Sequence, residues 1–155
     1  MLRDLQVTLN KPVNTMYSAD SDMKTGMAVV GNHDTKKADF PTAEIGIGLA
    51  FVDKERIPTG INTARGNMSD YDPDFINVAE GEMIKMVEFL PGDVFGTDQY
   101  VTTGLAVNDM LASNTSGMLK RAAAGVQSIY QYTGTHDDNG YILARVKVLQ
   151  APRTN

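Results

Sequence analysis

Three aspartates at alternate positions come closest to a metal-binding motif in this sequence. Asp70, Asp72 and Asp74 match the opening of a calcium-binding EF-hand loop, in which carboxylate oxygens at alternate positions ligate the ion. That loop also needs glycine at its sixth position and usually glutamate at its twelfth. This chain has Phe75 and Gly81 there. We therefore interpret the aspartates as solvated turn-forming residues and predict no metal site.

The two histidines are each followed by an aspartate, a pairing that can orient an imidazole as a general base or as a metal ligand. His33 and His136 both stand in polar, turn-like sequence. Adjacent residues of a turn rarely point at each other as such a pair requires, and aspartate is common in turns for its own hydrogen bonding. We interpret both pairs as turn residues.

Gly46 and Gly48 resemble half of a dinucleotide-binding fingerprint, but Phe51 stands where the third glycine should be and no helix signal follows. Small residues at these positions instead indicate a strand that bends or is closely packed on one side. The sequence has no cysteine and no Gly-x-Ser-x-Gly nucleophile motif. The alternative that folding brings two carboxylates together for general acid–base catalysis stays open. We predict no catalytic residue, no cofactor and no enzyme activity.

Fourteen glycines and six prolines divide the chain into short segments, several of which alternate apolar and polar residues as half-buried strands do. The alternation is clearest at residues 45–51 and 142–148. We expect residues 127–133 to be the antiparallel partner of the last strand. Asn139-Gly140 indicates the hairpin turn between them, because both residue types tolerate positive φ. Residues 118–124 have helix propensity, but we predict strand or turn there.

The pattern predicts an all-β chain, a small β-barrel or β-sandwich of short antiparallel strands. We predict an extended N-terminal arm over residues 1–22, a β domain over residues 23–150 and a C-terminal tail over residues 151–155. Residues 53–79 show little apolar periodicity, which indicates one long loop insertion with a helical turn near residues 74–78. Loops of this length are usually functional or mobile.

Composition excludes several classes of protein. The chain has 155 residues, the usual size of one domain, and lacks the cysteines that disulfides or thiolate metal sites need. Its net charge is −5 and its basic residues are scattered, so it has no positive footprint for nucleic acid. No signal-peptide pattern and no apolar run of about 18 residues occurs. We expect a soluble protein, synthesised in the cytoplasm, that binds neither nucleic acid nor membrane.

Five short motifs, in their order along the chain, resemble strands and turns of the small β-barrel proteins that decorate or cement the capsids of tailed bacteriophages. They are residues 23–29, 45–50, 91–98, the pair 107–111 with 116–119, and 139–149. In several of them a glycine turn introduces an apolar strand. Asn108 departs from the pattern, because the family has glycine there. The resemblance covers about residues 23–150, without counterparts for residues 1–22 and 53–79.

The resemblance implies a structural virion protein on the capsid surface that binds the major capsid protein and is a homo-oligomer, a dimer or trimer. We expect its contact surfaces in the N-terminal arm and in the loop insertion. The arm would add a strand to a neighbouring sheet edge. The predicted partner-binding residues are Leu5, Val7, Leu9, Tyr71 and Phe75.

Two other functions stay open from the sequence. The chain could be another virion component, such as a tail or neck protein or a glycan-binding adhesin. Sugar binding normally uses exposed aromatic side chains, and this sequence has six tyrosines, five phenylalanines and no tryptophan. The less favoured alternative is a small metal-dependent hydrolase that uses acidic residues of the middle loop.

Overall fold

The computed structural model describes residues 1–7, 11–54 and 71–155. Within these ranges the chain forms thirteen strands and one helical turn. In chain order the strands are β1 (Leu2–Gln6), β2 (Val13–Ala19), β3 (Met23–Lys24), β4 (Ala28–Asn32), β5 (Lys37–Asp39), β6 (Ala50–Asp53), β7 (Asn77–Val78), β8 (Met83–Val87), β9 (Val94–Thr97), β10 (Met110–Ser113), β11 (Leu119–Arg121), β12 (Ser128–Asp138) and β13 (Tyr141–Arg153). The helical turn, α1 (Pro73–Ile76), precedes β7. The all-β prediction is confirmed.

The strands form two main units. The large sheet has six strands in the order β1-β9-β13-β12-β10-β11, and a closed five-stranded barrel has the order β2-β5-β4-β6-β8. β3 and β7 make a separate two-stranded sheet. The pairs within the large sheet are antiparallel, whereas β2 and β5 of the barrel are parallel. The predicted small barrel is therefore present, with a larger sheet beside it.

Alternation along the barrel strands gives the barrel two buried surfaces. One set of side chains fills its interior: Tyr17, Ala19, Val29, Ala38, Ala50, Val52, Ile84 and Met86. Their immediate neighbours on three of these strands pack with the large sheet instead: Ala28, Phe51 and Val87. Because successive side chains of a strand point to opposite faces, three of the barrel strands contribute to both cores.

Phe51 lies at the centre of the contact between the two units. Its ring centroid is 4.7 Å from that of Phe95, 5.6 Å from Tyr130 and 5.7 Å from Phe89. The tilted and edge-on angles of these pairs are the arrangements that aromatic rings prefer. The Tyr130 hydroxyl is buried and donates to the carbonyl oxygen of Leu49 at 3.1 Å, so its polar end is satisfied. This aromatic cluster joins barrel and sheet.

The last two strands form the predicted hairpin. Asn139 (φ 55°) and Gly140 (φ 92°) form the two-residue turn, and both carry the positive φ of a type I′ turn. Residues 144, 146 and 148 of the predicted stripe are buried. Ile142 was expected on that stripe but is 51% exposed, because it lies near the hairpin tip, opposite the exposed Asp137.

The N-terminal segment was predicted as an arm outside the β domain, and the structure places most of it inside the fold. β1 pairs with β9 of the same chain, as an edge strand of the large sheet. β2 closes the barrel by pairing with β8 and β5. At the other end, β13 continues to Arg153. The Asn155 side chain accepts a hydrogen bond from the Met110 backbone N–H and donates one to the Met110 carbonyl oxygen. The sequence indicated a strand around Leu5 and Val7 but not its partner β9, and it did not indicate β2.

Only part of the predicted strand over residues 45–51 is a regular β-strand. Regular pairing begins at Ala50, whereas Ile45 and Gly46 make isolated bridges to Ser113 and Ser128. Gly48 has φ +71°, which bends the chain between the bridges and β6. Gly46 thus lies where the chain is closely packed, and Gly48 lies where the chain bends. Residues 118–124, predicted as strand or turn, contain β11.

Candidate partner-binding surface

Neither a membrane-spanning helix nor a metal cluster occurs in the part of the chain that the structure describes. Over residues 1–7, 11–54 and 71–155, no helix is long and apolar enough to cross a membrane. Across the same ranges, no three histidine, aspartate or glutamate side chains are grouped so as to hold a metal ion.

The aspartate motif has a structural role at α1. Asp70 lies outside the described residues. Asp72 is the N-cap of α1, and its Oδ1 accepts a hydrogen bond from the Asp74 backbone N–H at 3.0 Å. Aspartate is among the preferred N-cap residues because its side chain satisfies an otherwise unpaired N–H of the first turn. Capping explains Asp72 without an ion.

The two histidines do not pair with the aspartates that follow them. Nδ1 of His33 hydrogen-bonds the hydroxyl of Tyr17, whose ring is buried in the barrel. His136 lies in β12, opposite Leu143 of β13. His33 lies in the turn between β4 and β5, as predicted, whereas His136 lies within β12, so the prediction of a turn there was wrong. Their neighbours are both exposed, Asp34 in the same turn as His33 and Asp137 in β12.

The sequence also contains one Ser-x-x-Lys spacing, from Ser21 to Lys24. In some hydrolases this spacing lets the lysine activate the serine as a nucleophile. Here Ser21 lies in a bend after β2, and its Oγ is buried with no hydrogen-bond partner among the residues that the structure describes. Lys24 is an exposed residue of β3. Because the lysine does not contact the hydroxyl, the two residues do not form an activated pair.

Two of the three predicted contact residues of the N-terminal segment, Leu5 and Val7, lie in and beside β1. Leu5 is half-buried, and its Cδ1 packs above Gly96 of the neighbouring strand. Val7, just after β1, is 38% exposed. Leu9 lies outside the described residues. Leu5 therefore helps to cover the outer face of the chain's own sheet, and Val7 is available at its edge.

Tyr71 and Phe75, the two predicted contact residues of the loop insertion, have different environments. The Tyr71 ring stacks on the Tyr141 ring, with centroids 3.4 Å apart and planes 7° from parallel. Its hydroxyl donates to Oδ2 of Asp138 at 3.0 Å. Phe75 is 8% exposed and packs inside the chain. We therefore leave Phe75 out of the candidate surface.

These contacts define what we call the hairpin surface: Arg3, Tyr71, Asp138, Tyr141 and Ile142. Nε of Arg3 lies 2.6 Å from Oδ2 of Asp138, so one carboxylate links β1, Tyr71 and the hairpin tip. Tyr141 is 47% exposed and Ile142 is 51% exposed. The structure thus brings Tyr71 close to the β1 segment that carries Leu5. Sequence reasoning missed the two most exposed apolar members.

The protonation states of the hairpin surface follow from these contacts. The hydrogen bond from Arg3 lowers the pKa of Asp138, and it outweighs the opposing effect of burial. Burial raises the pKa of Tyr71, and its hydrogen bond to Asp138 raises it further. At neutral pH the carboxylate is therefore charged and the phenol protonated. The charged Asp138 carboxylate thus accepts hydrogen bonds from the Arg3 guanidinium and from the Tyr71 hydroxyl. These bonds hold the hairpin tip in one arrangement.

We expect Asp138→Asn to reduce the dependence of stability on acid pH. The folded-state pKa of Asp138 lies below its unfolded value of about 3.9, so its stabilising contribution is present above that pH. The contribution is lost as pH falls through the folded-state pKa. Urea unfolding at a series of pH values should show the free-energy gap between wild type and Asp138→Asn shrinking toward about pH 2.

The matched control for this experiment is Asp34→Asn, which changes an exposed aspartate of a turn far from Arg3 in sequence. Its free-energy difference from wild type should change less with pH than that of Asp138→Asn. A gap between wild type and Asp138→Asn that stays constant over the whole pH series would contradict the assigned ion pair.

A second group of exposed apolar side chains lies on the barrel. Val13 is 48% exposed, Met16 is 65% exposed and Met83 is 61% exposed, and the three belong to the paired strands β2 and β8. The register of the pair shifts between Asn14 and Tyr17, which places an extra residue opposite β8. Oδ1 of Asn14 accepts from the Met16 N–H at 3.0 Å and fixes this irregularity.

A groove lies beside the loop insertion. Its volume is about 720 Å³, and Met23, Met27 and Val78 provide apolar lining. Lys54 at its rim contacts Oε1 of Glu82 at 2.9 Å and the Asn77 carbonyl oxygen at 2.8 Å. The groove adjoins the second region predicted to contact a partner. Its charged rim is held by contacts within the chain.

Comparison of the chain with protein-family models, with curated proteins and with solved structures finds no match. What the architecture establishes is a mostly-β protein with a small five-stranded barrel.

Proposed function

We propose that the chain is a structural protein of a tailed-phage virion that decorates or cements the capsid by binding the major capsid protein. The observation that carries the proposal is the hairpin surface. Tyr141 and Ile142 are about half exposed at the tip of the longest hairpin, while Tyr71, Asp138 and Arg3 fix the residues behind them.

Such a surface suits binding to a protein partner. Tyrosine and arginine are enriched among the residues that contribute most to interface affinity. A side chain that is already held in place loses less conformational entropy when it binds, so more of the contact energy appears as affinity. Ring stacking and the shared carboxylate hold Tyr141 in this way. The tip therefore offers a preorganised apolar contact.

The positions of the phage-like motifs also support the proposal. Residues 91–98 contain β9, residues 107–111 and 116–119 contain parts of β10 and β11, and residues 139–149 contain the turn and most of β13. All of them belong to the large sheet. Three of the five motifs that resemble decoration proteins thus belong to the sheet from which the candidate surface projects, whereas residues 23–29 and 45–50 contribute to β3, β4 and β6 outside that sheet.

The resemblance further leads us to propose that the chain works as a dimer or trimer. Linked subunits bind a repetitive lattice more tightly than single ones, because later contacts become intramolecular. Light scattering on the purified chain distinguishes a monomer from such an assembly.

We expect Ile142→Ser to weaken capsid binding by about tenfold, equivalent to about 1.4 kcal/mol, since it removes an exposed apolar contact at the tip. The measurement is co-sedimentation of the purified chain with empty shells of the major capsid protein encoded in the same genome. Met16→Ser is the matched control, because Met16 is also exposed and apolar but lies on the barrel.

The outcomes of this experiment test the proposed function and the assignment of the hairpin surface separately. Wild-type chain that fails to bind the shells saturably would overturn the proposed function. Saturable binding that Ile142→Ser leaves intact, or that Met16→Ser weakens equally, would overturn only the assignment of the hairpin surface. Binding of the wild-type chain to glycans and not to shells would favour the adhesin alternative.

A further inference from the structure

The tip of the β12–β13 hairpin carries the only Asn-Gly pair in the sequence. Asn139 and Gly140 are both exposed, so water reaches them. In such a pair, the glycine nitrogen can approach the asparagine side-chain amide without hindrance, because glycine has no side chain. The tip is therefore chemically reactive as well as exposed.

The reaction available to this pair is spontaneous deamidation. The backbone nitrogen of Gly140 attacks Cγ of Asn139 and forms a new C–N bond. The Cγ–Nδ2 bond breaks, and ammonia leaves with the proton lost by the attacking nitrogen. Water then opens the resulting succinimide at either carbonyl, giving aspartate or isoaspartate. No oxidant, enzyme or cofactor takes part.

The folded turn opposes this reaction. The Gly140 N–H donates a hydrogen bond to Oδ1 of Asp137 at 2.6 Å, so the attacking nitrogen is already engaged. Asn139 is held at φ 55° and Gly140 at φ 92° by the two-residue turn. To reach Cγ, the nitrogen has to rotate out of the turn and break its bond to the carboxylate. We propose that Asn139 is a latent deamidation site and that Asp137 keeps it closed while the hairpin is folded.

Isoaspartate at position 139 would alter the hairpin surface. It routes the main chain through the former side chain and adds one backbone atom to a two-residue turn. Type I′ geometry matches the strand register, so a longer turn disturbs the pairing of Asp138 with Tyr141. These two residues contact Tyr71. The modification would therefore loosen the stacked tyrosines, whatever partner the surface binds.

The test is the rate of Asn139 deamidation, measured by peptide mapping with mass spectrometry during incubation at neutral pH. We expect Asp137→Ala to deamidate about fivefold faster than wild type, as loss of one hydrogen bond to the nitrogen would give. Asp137→Asn keeps an acceptor oxygen and should stay close to wild type. Wild-type chain unfolded in urea lacks the turn, and its Asn139 should deamidate faster than Asn139 of the folded wild type or of either folded variant.

Asn108 is the control within the same molecule. It also has positive φ, 80°, but is followed by aspartate and should stay intact over the incubation. Native wild-type chain that deamidates at Asn139 as fast as the unfolded chain would overturn the proposal. An Asp137→Ala variant that deamidates more slowly than wild type would also overturn it, because Asp137 would then be promoting the reaction.

Discussion

Replacing Phe51 with alanine will lower the free energy of unfolding by about 3–5 kcal/mol, the largest loss that we expect from a single truncation. The side chain is completely buried and contacts three other aromatic rings. Removal of the ring leaves a cavity between barrel and sheet, where two rigid units cannot easily move together to fill it. Chemical denaturation followed by circular dichroism measures the loss.

Phe51→Leu is the matched control for this experiment. It keeps an apolar side chain at the site and should cost clearly less than the alanine variant, since a smaller cavity remains. Wild type and both variants should unfold in one transition, because Phe51 belongs to a core shared by the two units. A loss below about 1 kcal/mol for Phe51→Ala would contradict the packing described above, since buried phenylalanine truncation typically costs several times more.

The second large effect is expected at Gly46. A Cβ atom at this position would lie 2.4 Å from Cβ of Ser128, 2.7 Å from its Oγ and 2.8 Å from the Gln127 carbonyl oxygen. Ser128 cannot easily move, because its Oγ hydrogen-bonds the Leu111 carbonyl and the Tyr130 N–H. We expect Gly46→Ala to cost about 3 kcal/mol of unfolding free energy, measured in the same denaturation experiment.

Gly48→Ala distinguishes close packing from backbone conformation. Among the described residues, no heavy atom apart from those of Gly48 and its two chain neighbours lies within 4 Å of a Cβ built there, but the φ of Gly48 is +71°. The cost there should be about 1–2 kcal/mol, that of placing an L-residue in the left-handed region. Equal losses at the two glycines would show that the approach of Gly46 to Ser128 does not limit stability.

Local sequence chemistry predicted the C-terminal hairpin well. Its turn residues, Asn139 and Gly140, have the positive φ that their types indicate. Residues 144, 146 and 148 are buried as the alternation predicts. The turn depends on contacts between residues that are close in sequence, whereas the buried stripe packs in a core with distant residues such as Phe51. Asp72 similarly has the turn-forming role that its type and position suggested.

The partners of the strands could not be predicted, because alternation marks a half-buried strand without saying what covers it. β1 was recognised as a strand but was expected to pair outside the chain, whereas it pairs with β9. Residues 45–51 have a regular stripe, yet Gly46 and Gly48 interrupt the strand for two different reasons. The choice between barrel and sandwich likewise depends on long-range pairing.

The candidate surface was only partly visible in the sequence. Tyr71 and Phe75 are both aromatic residues at the end of the loop insertion, and nothing local distinguishes the one on the surface from the buried one. Tyr71 is placed by Tyr141 and Asp138, which are about 70 residues further along the chain. The exposure of Ile142 follows from its place near the hairpin tip, beyond the part of β13 that is buried in the core.

The order of strands in the large sheet has a consequence for how the protein is made. β13 lies between β9 and β12, and β1 pairs only with β9 in that sheet. A ribosome therefore releases β1 and β9 well before the central strand that joins them to the rest. Assembly that depends on such distant segments is intrinsically slow, and unpaired strand edges favour aggregation meanwhile. Nascent chains stalled before β13 should be recognised by chaperones and proteases as incomplete.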